Sequence, residues 1–216
     1  MLQNRSDLFR NVSAPTQVGR LSAAYSGWSA GFIDYDNDGF KDLYSANGDV
    51  DNIKPNARQH DTMFRNTGGK RFEDVSEQLG SDFLRTGFQR GSAFGDLNND
   101  GFPDIVVTSL MEKPRILLNS ADNGNHWMVL ELTGHASNRD AIGAKVKLTT
   151  ASGRVLHNHV AVSVGFMSSS DKRVHFGLGE EKEIREIEIR WPSGKVQKLE
   201  GAKADRFLKV DEPKGK

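Results

Sequence analysis

The chain has 216 residues, enough for one large domain or two small ones, each with a core of its own. Lysine plus arginine and aspartate plus glutamate balance at 29 each, so the total charge predicts neither a nucleic-acid partner nor attraction to an anionic membrane. Cysteine is absent, which excludes disulfides and thiolate metal sites, and no apolar run approaches the roughly 20 residues of a membrane span.

The amino-terminal stretch lacks the basic-then-apolar profile of a secretory signal, so we expect an exported protein to use this chain as its mature part or as a piece of a longer one. Within this stretch, LFRN (8–11) begins a repeat that returns as MFRN (63–66) and, more weakly, as ILLN (116–119). The 22 glycines, many beside Asn, Asp or Ser, predict many tight turns and therefore mainly β structure.

Each repeat is predicted to contain a short strand, a turn, a strand that ends in an acidic loop, and a second apolar strand. The two central stretches are SAGFIDYDNDGFKDLYSANG (29–48) and GSAFGDLNNDGFPDIVVTSL (91–110). We assign residues 1–122 to this repeat region, with units at about 8–62 and 63–115.

The acidic loops DYDNDGFKD (34–42) and DLNNDGFPD (96–104) place oxygen-bearing side chains at the same offsets around one glycine. Short Asp or Asn side chains at every second residue converge on one point when the backbone curls, and glycine at position six permits that curl. Ca²⁺ takes six to eight oxygens at about 2.3–2.6 Å, so each loop predicts one calcium site. The expected ligands are Asp34, Asp36, Asp38, the Phe40 carbonyl and Asp42, then Asp96, Asn98, Asp100, the Phe102 carbonyl and Asp104. Phe40 and Phe102 are then free to pack inward.

The acidic loops have three alternative interpretations, namely an EF-hand, an acidic surface turn and a magnesium site. The first six positions of each loop match the EF-hand formula, but position twelve holds Ser45 or Val107 instead of glutamate. The residues that flank the loops also favour strands over helices. An acidic surface turn explains one copy, but two copies at identical offsets favour a metal site. Mg²⁺ demands a tighter octahedron and retains its waters, so calcium is the preferred ion.

From residue 123 to residue 216 the pattern changes to short runs of alternating apolar and polar residues. Along 186–191, Ile187, Ile189 and Trp191 lie on one face of a predicted strand, and the residues between them lie on the other. Six or seven such strands predict a β-sandwich-like domain. The expected fold class is all-β, with two calcium-binding repeats followed by this sandwich.

The motif DYDNDGFKDLY and its second copy, linked by MFRNTGGKRFEDVSEQLG, resemble FG-GAP/VCBS repeats. The tail resembles the ASPIC/UnbV domain of cartilage acidic protein-like chains through NRDAIGAKV (138–146), HFGLG (175–179) and WPSG (191–194). The resemblance implies that the two repeats are propeller-type blades that form a partial propeller, with calcium in an inter-strand loop, in secreted or periplasmic proteins. Because a closed propeller needs about four to eight blades, we expect either a longer parent chain or a sandwich that covers the open edge.

Two further groups of residues are candidate sites. His157 and His159, with His175, could hold Zn²⁺, but no clear third ligand converges, and solvent-facing strand histidines are the preferred interpretation. Arg139 and Asp140 could do chemistry, but a turn held by an internal Arg–Asp contact, with Gly143 relaxing the backbone, explains them as well.

We expect a calcium-stabilised extracytoplasmic module that binds a protein or glycan partner, without a membrane span or a nucleic-acid partner. The alternative is a carbohydrate-active enzyme (lyase, hydrolase or dehydratase) that uses acidic side chains or the metal on a propeller scaffold. A structural domain that caps a larger propeller is a third possibility. The sequence contains no G-x-S-x-G motif, no phosphate-binding glycine loop and no H-E-x-x-H helix. Binding is the preferred function, because aspartates that all coordinate one cation leave none free for proton transfer.

Overall fold

The computed structural model describes residues 2–5, 8–51 and 55–214, and it is almost entirely β. Within these ranges the helical elements are α1 (Val18–Leu21) and a 3₁₀ turn at Ser76–Gln78. Parts of the two predicted domains lie outside the described residues, namely 1, 6, 7, 52–54, 215 and 216. The predicted all-β fold class is confirmed.

The first half of the chain begins with a hairpin and continues into a four-stranded antiparallel sheet. The hairpin consists of β1 (Leu2–Arg5) and β2 (Leu8–Asn11). The strands of the sheet, which are neighbours in chain order, are β3 (Gly27–Ile33), β4 (Asp42–Asn47), β5 (Thr62–Thr67) and β6 (Arg71–Asp74). Gly68 and Gly69 have φ of 67° and 79° and make the tight turn between β5 and β6.

A three-stranded antiparallel sheet follows, with β7 (Gln89–Gly95), β8 (Asp104–Ser109) and β9 (Arg115–Leu117) in chain order. Both sheets are arranged like propeller blades, and neither closes on itself. In each of them the acidic loop connects the first strand to the second. The sheets are offset from the units predicted at 8–62 and 63–115, because the first sheet takes β5 and β6 from the start of the second unit.

The two blades pack on each other through a shared apolar cluster that contains Tyr44, Phe94 and Val107. The rings of Tyr44 and Phe94 meet edge to face, with centroids 5.5 Å apart. Gly31 makes this packing possible, since a Cβ there would lie 2.2 Å from Cε2 of Phe94. The first strands of the blades are also joined by a hydrogen bond of 2.7 Å between the hydroxyls of Ser29 and Ser92.

The C-terminal half forms two sheets that face each other. One has the order β13–β10–β16 and the other the order β12–β11–β14–β15. The strands are β10 (His126–Thr133), β11 (Lys145–Thr150), β12 (Val155–His159), β13 (Val174–Gly179), β14 (Glu183–Arg190), β15 (Val196–Lys203) and β16 (Arg206–Asp211). All neighbours are antiparallel except β10 and β16, which run parallel.

The core of this sandwich lies between the two sheets. Leu130 of β10 and Leu148 of β11 are fully buried in it, as are Ile187 and Ile189 of β14. Trp191 is 3% exposed in the same cluster, so the period of two along 186–191 identifies the buried face correctly. The predicted β-sandwich is confirmed.

The connection between β12 and β13, residues 160–173, leaves the sandwich and lies against the first strand of each blade. The Phe166 N–H donates to Oγ of Ser29 in β3, at 3.1 Å, and the Asp171 N–H donates to the Phe94 carbonyl in β7, at 2.9 Å. The opposite edge is exposed to solvent. Ile116, in β9, is 62% exposed, and Leu118, just after β9, is 59% exposed. The sandwich therefore covers the first strands of the blades.

Candidate metal centre

The first acidic loop brings three buried carboxylates together between β3 and β4. Asp34, Asp36 and Asp42 each offer one oxygen, and these three oxygens lie within 4.8 Å of one another. Asp34 directly follows β3 and Asp42 begins β4, so two neighbouring antiparallel strands bring them together. The fourth predicted aspartate, Asp38, is half-buried at the tip of the loop.

The loop curls because its own carboxylates accept its backbone N–H groups. The Gly39 N–H donates to Oδ2 of Asp34 at 2.9 Å, and the Phe40 N–H donates to Oδ1 of Asp38 at 2.7 Å. Gly39 has a φ of 84°, as predicted for position six, and Asn37 also adopts a positive φ of 58°. The alternating acidic sequence therefore produces a closed turn with its oxygens on the inside.

The electrostatics of this loop favour a bound positive charge. Burial raises the pKa of Asp34 well above its ordinary value, and neighbouring carboxylates, led by Asp42, raise it further. Burial also raises the pKa of Asp42 to about 7. Arg65 compensates part of the charge, since its Nε lies 2.8 Å from Oδ2 of Asp36. With Asp38, whose Oδ2 lies 3.7 Å from Nη2 of Arg65, the four predicted carboxylate ligands and one guanidinium leave up to three negative charges, most of which one divalent ion would compensate.

Two buried oxygens of the loop lack a hydrogen-bond donor. They are Oδ1 of Asp34, whose residue is 7% exposed, and Oδ1 of Asn37, whose residue is fully buried. A buried oxygen without a partner is destabilising by about 1–3 kcal/mol. A cation in the loop would provide an electrostatic partner for such an oxygen.

The second acidic loop repeats the backbone design with fewer buried charges. Asp96 and Asp104 are buried, whereas Asn98 and Asp100 are exposed. The Gly101 N–H donates to Oδ2 of Asp96 at 2.8 Å, which matches the bond at Gly39 in the first loop. Burial raises the pKa of Asp96. The two predicted calcium sites are therefore unequal, and the first has the higher density of buried negative charge.

Phe40 and Phe102, expected to pack inward, are only half-buried, and neither belongs to an apolar cluster of the described residues. The ring of Phe40 instead lies beneath the guanidinium of Arg154, with 4.7 Å between the Cζ atom and the ring centroid. The prediction that these rings pack inward was therefore wrong. For Phe40 the physical reason is that the C-terminal sandwich lies over the loop and places a guanidinium on the ring face.

Sequence reasoning missed two asparagines that hold the ninth-position aspartates. The backbone N–H of Asn66 donates to Oδ1 of Asp42, and that of Asn119 donates to Oδ1 of Asp104, both at 2.7 Å. These residues are the final letters of the repeated MFRN and ILLN motifs. The shared asparagine was the signal that could have identified them.

The histidines do not form a metal site in the described part of the chain. His157 and His159 are exposed on β12, as the solvent-facing interpretation predicted. His175 is half-buried, and its Nε2 donates to the carbonyl of Gly101 at 2.9 Å. Burial lowers the pKa of His175 to about 4.

The turn at 138–143 is held differently from the predicted Arg–Asp contact. Asp140 pairs with Lys172, and the side chain of Asn138 bonds both the N–H and the carbonyl of Ile142. Gly143 has a φ of 94°, as its predicted role in relaxing the backbone requires. An asparagine closes this turn because its amide supplies both a donor and an acceptor.

A cleft of about 1000 Å³ lies between the acidic loops and the sandwich. Its walls include Asp34, Phe40 and Phe94 from the blades, and Arg154, His157 and Arg173 from the sandwich. Clefts of this size between packed units are typical of small-molecule binding sites. The first acidic loop therefore borders a space that a ligand can enter.

Comparison with known proteins agrees with this architecture. A family model described as an FG-GAP-like repeat matches residues 46–107, and one described as ASPIC and UnbV matches residues 134–216. The chain is therefore similar to an FG-GAP-like repeat followed by an ASPIC/UnbV domain. The resemblance predicted from the sequence is confirmed, and the repeat match includes the second acidic loop but begins after the first.

Two curated relatives are both named cartilage acidic protein 1. The Xenopus tropicalis protein is 25% identical over 169 residues, which cover 76% of this chain and 25% of that protein. The Homo sapiens protein is 24% identical over 169 residues, which cover 76% of this chain and 24% of that protein. The match therefore spans about a quarter of the length of these relatives. In the described ranges, no helix has the length and hydropathy of a transmembrane segment.

Proposed function

We propose that this chain is a calcium-binding β-repeat module that acts outside the cytoplasm and binds a protein or glycan partner, with calcium in a structural role. The observation that carries the proposal is the buried triad of Asp34, Asp36 and Asp42, in which one oxygen of Asp34 has no hydrogen-bond donor. Burying several carboxylates together is unfavourable unless a positive charge compensates them.

The donors in both loops suit calcium. They are all oxygens, from side chains and from backbone carbonyls. Ca²⁺ accepts such a mixed set because its coordination shell is large and flexible, whereas Mg²⁺ requires a smaller octahedron. In the first site the ion would be held by Asp34, Asp36, Asp38, the Phe40 carbonyl and Asp42. In the second it would be held by Asp96, Asn98, Asp100, the Phe102 carbonyl and Asp104. When bound, calcium supplies the positive charge that the buried carboxylates lack.

The extracytoplasmic location is supported by the repeat and domain types and by the cartilage acidic protein relatives. The cleft between the loops and the sandwich is a place where part of a partner could bind. Its lining combines aromatic rings with arginine and histidine side chains, a combination that suits the faces and hydroxyl groups of a glycan as well as a peptide.

A carbohydrate-active enzyme is the second candidate, and one observation supports it. The cleft borders the first acidic loop, so a substrate could approach Asp34 and the cation beside it. Asp34, Asp36 and Asp42 would all be engaged by the cation in that arrangement, which leaves no carboxylate of the triad free for proton transfer. Binding is therefore the favoured function.

Titration calorimetry with calcium tests the proposal on the wild type and on Asp34→Asn and Asp96→Asn. We expect two bound ions, with tighter binding at the first loop because it has more buried charge, and the loss of one ion in each variant. Asp140→Asn is the matched control, since Asp140 is an exposed partner of Lys172. A wild type that takes up no calcium would contradict the proposal.

A glycan array and a partner screen, each performed with calcium and with a chelator, address the ligand. Binding that calcium promotes, with the ligand recovered intact, supports the module. Glycan fragments with new reducing ends or unsaturated sugars would instead show hydrolysis or elimination and favour the enzyme.

A further inference from the structure

Each acidic loop has, at position six, a glycine that lies directly under a side chain of the C-terminal sandwich. A Cβ on Gly39 would lie 2.4 Å from Nη2 of Arg154, and a Cβ on Gly101 would lie 1.9 Å from Cε2 of Trp127. Both distances are far below ordinary van der Waals contact. Any side chain at these two positions would therefore push the sandwich away from the loops, in addition to straining their positive φ of 84° and 92°.

The backbone of β13 also lies against the first loop. A Cβ on Gly177 would lie 2.1 Å from Oδ2 of Asp34, which is one of the three clustered carboxylates. Two residues further along, the Gly179 N–H donates to the carbonyl of Asn37 at 2.8 Å. Glycine allows a strand of the sandwich to contact the carboxylate cluster itself.

Side chains of the C-terminal half bind the carbonyls of the first loop. Nη1 of Arg154 donates to the carbonyl of Asp38 at 2.9 Å, and Nδ2 of Asn125 donates to the carbonyl of Asp36 at 2.8 Å. Asn123 binds the same Asp36 carbonyl at 2.6 Å. These bonds hold the loop in the curled form that directs its carboxylates inward.

The second loop has a similar set of contacts. Nε2 of His175 donates to the carbonyl of Gly101, and Nη1 of Arg173 donates to Oδ1 of Asn99 at 2.8 Å. The two loops are also joined directly, since Nδ2 of Asn37 donates to the Gly101 carbonyl at 3.1 Å. Both loops and the sandwich therefore form one hydrogen-bonded unit.

We propose that the sandwich is a structural part of both cation sites, so that its docking on the repeats and the binding of calcium strengthen each other. Arg154 and Trp127 act as positioning residues, since they offer no ligand oxygen but hold the loop backbones at position six. A loop held in its curled form loses less conformational entropy when it binds the ion. Because coupling is reciprocal, a bound ion must stabilise the docked sandwich to the same extent. The inference rests on the proposed function.

The first test is calcium affinity, measured by titration calorimetry on the full chain. Arg154→Ala removes the guanidinium from the first loop, and we expect the first-site Kd to rise about 10-fold or more, as for other residues that support metal ligands indirectly. Arg190→Ala is the matched control, because Arg190 is exposed and pairs with Glu188 on its own strand. The control is expected to stay within about twofold of the wild type. Trp127→Leu is the corresponding variant for the second site.

The second test examines the reverse direction by amide hydrogen exchange. The Gly179 amide bonds across the interface, so we expect it to exchange faster when a chelator removes calcium. The Ile187 amide, in the core strand β14 of the opposite sheet, is expected to keep its protection and to show that the sandwich itself remains folded. Exchange therefore reports undocking without relying on a variant that could misfold.

The outcomes separate this inference from the proposed function. If the wild type binds calcium, but Arg154→Ala binds it as tightly as Arg190→Ala and chelation leaves Gly179 protected, the coupling is wrong and the calcium module stands. If the wild type binds no calcium, both are wrong. Weaker binding in Arg154→Ala together with faster exchange at Gly179 supports the coupling.

Discussion

Replacing Asp34 with asparagine is expected to change the stability of this protein in opposite directions with and without calcium. Asparagine has nearly the same shape as aspartate and keeps an oxygen for the Gly39 N–H, but it removes one negative charge from the triad. In the absence of metal this charge repels its neighbours, whereas in the presence of calcium it helps to bind the ion. A single substitution therefore separates the two contributions.

The structure gives the size of the repulsion. The clustered oxygens lie within 4.8 Å of one another, and two unit charges at that separation repel by about 3 kcal/mol at an effective dielectric constant near 20. Protonation relieves part of this, since burial and the neighbouring carboxylates raise the pKa of Asp34 itself, and burial raises the pKa of Asp42 to about 7. Without metal, at pH about 8, the variant should therefore be at least as stable as the wild type, with a gain equal to the part of this repulsion that protonation does not relieve.

Calcium shifts the balance of stability toward the wild type. At a free concentration 100 times Kd, one site stabilises the folded wild type by about 2.7 kcal/mol. For a chain of this size that corresponds to a Tm higher by roughly 5–10 °C, an increase that the variant should lose at its first site. The effect of calcium on Tm should therefore be smaller in the variant by about that amount.

Thermal unfolding of both proteins in calcium and in chelator measures these four stabilities. Asp140→Asn, which alters an exposed ion pair, should change the free energy of unfolding by less than about 0.5 kcal/mol in either condition. A wild-type melting curve that chelation leaves unmoved would refute the reasoning. So would a variant that is destabilised equally in both conditions, since Asp34 would then be only a hydrogen-bonding group.

Four further substitutions test the fold and its edges. Glu212 accepts hydrogen bonds from the three backbone N–H groups of residues 135–137. Burial raises the pKa of Glu212, but hydrogen bonds from Ser193 and from residues 135–137 lower it to about 2. Its stabilisation is therefore present above the unfolded pKa of about 4.3 and lost as pH falls toward about 2, so Glu212→Gln should flatten that part of the denaturation profile. Leu130→Ala, at a fully buried position, should cost about 2–5 kcal/mol in chemical denaturation, and Leu118→Ala, at a position 59% exposed, about 0.5 kcal/mol or less. Ile116→Lys should weaken any self-association through the exposed strand β9, and unchanged sedimentation at high concentration would argue against that contact.

Local patterns in the sequence were sufficient to predict the elements of this fold. The alternation that ends at Trp191 identifies a buried strand face, because side chains of a strand point to opposite sides in turn. The position of Gly39 and Gly101 in the repeated loops predicts the positive φ that both residues adopt. In each case the physical cause acts within a few residues, and a single sequence contains it.

The contacts that complete the site could not be predicted in this way. Arg154 bonds the carbonyl of Asp38, 116 residues earlier, and nothing in the local sequence of either residue specifies that the sandwich docks there. Docking also explains why identical offsets give unequal loops. The carbonyl of Asp36 is covered by Asn125, whereas Asn98, at the corresponding position of the second loop, remains exposed.

The aspartates of the first loop also divide into two roles that the sequence does not distinguish. Both oxygens of Asp42 and of Asp104 accept a backbone N–H, one from their own loop and one from Asn66 or Asn119 in or after the next strand. The ninth position therefore joins three strands of each sheet even without a cation. Asp34, at the first position, instead keeps one buried oxygen without a donor. Because of this difference, Asp104→Asn should destabilise the protein both in calcium and in chelator, since the amide nitrogen of asparagine would face a backbone N–H donor. Asp34→Asn should destabilise the protein only in calcium.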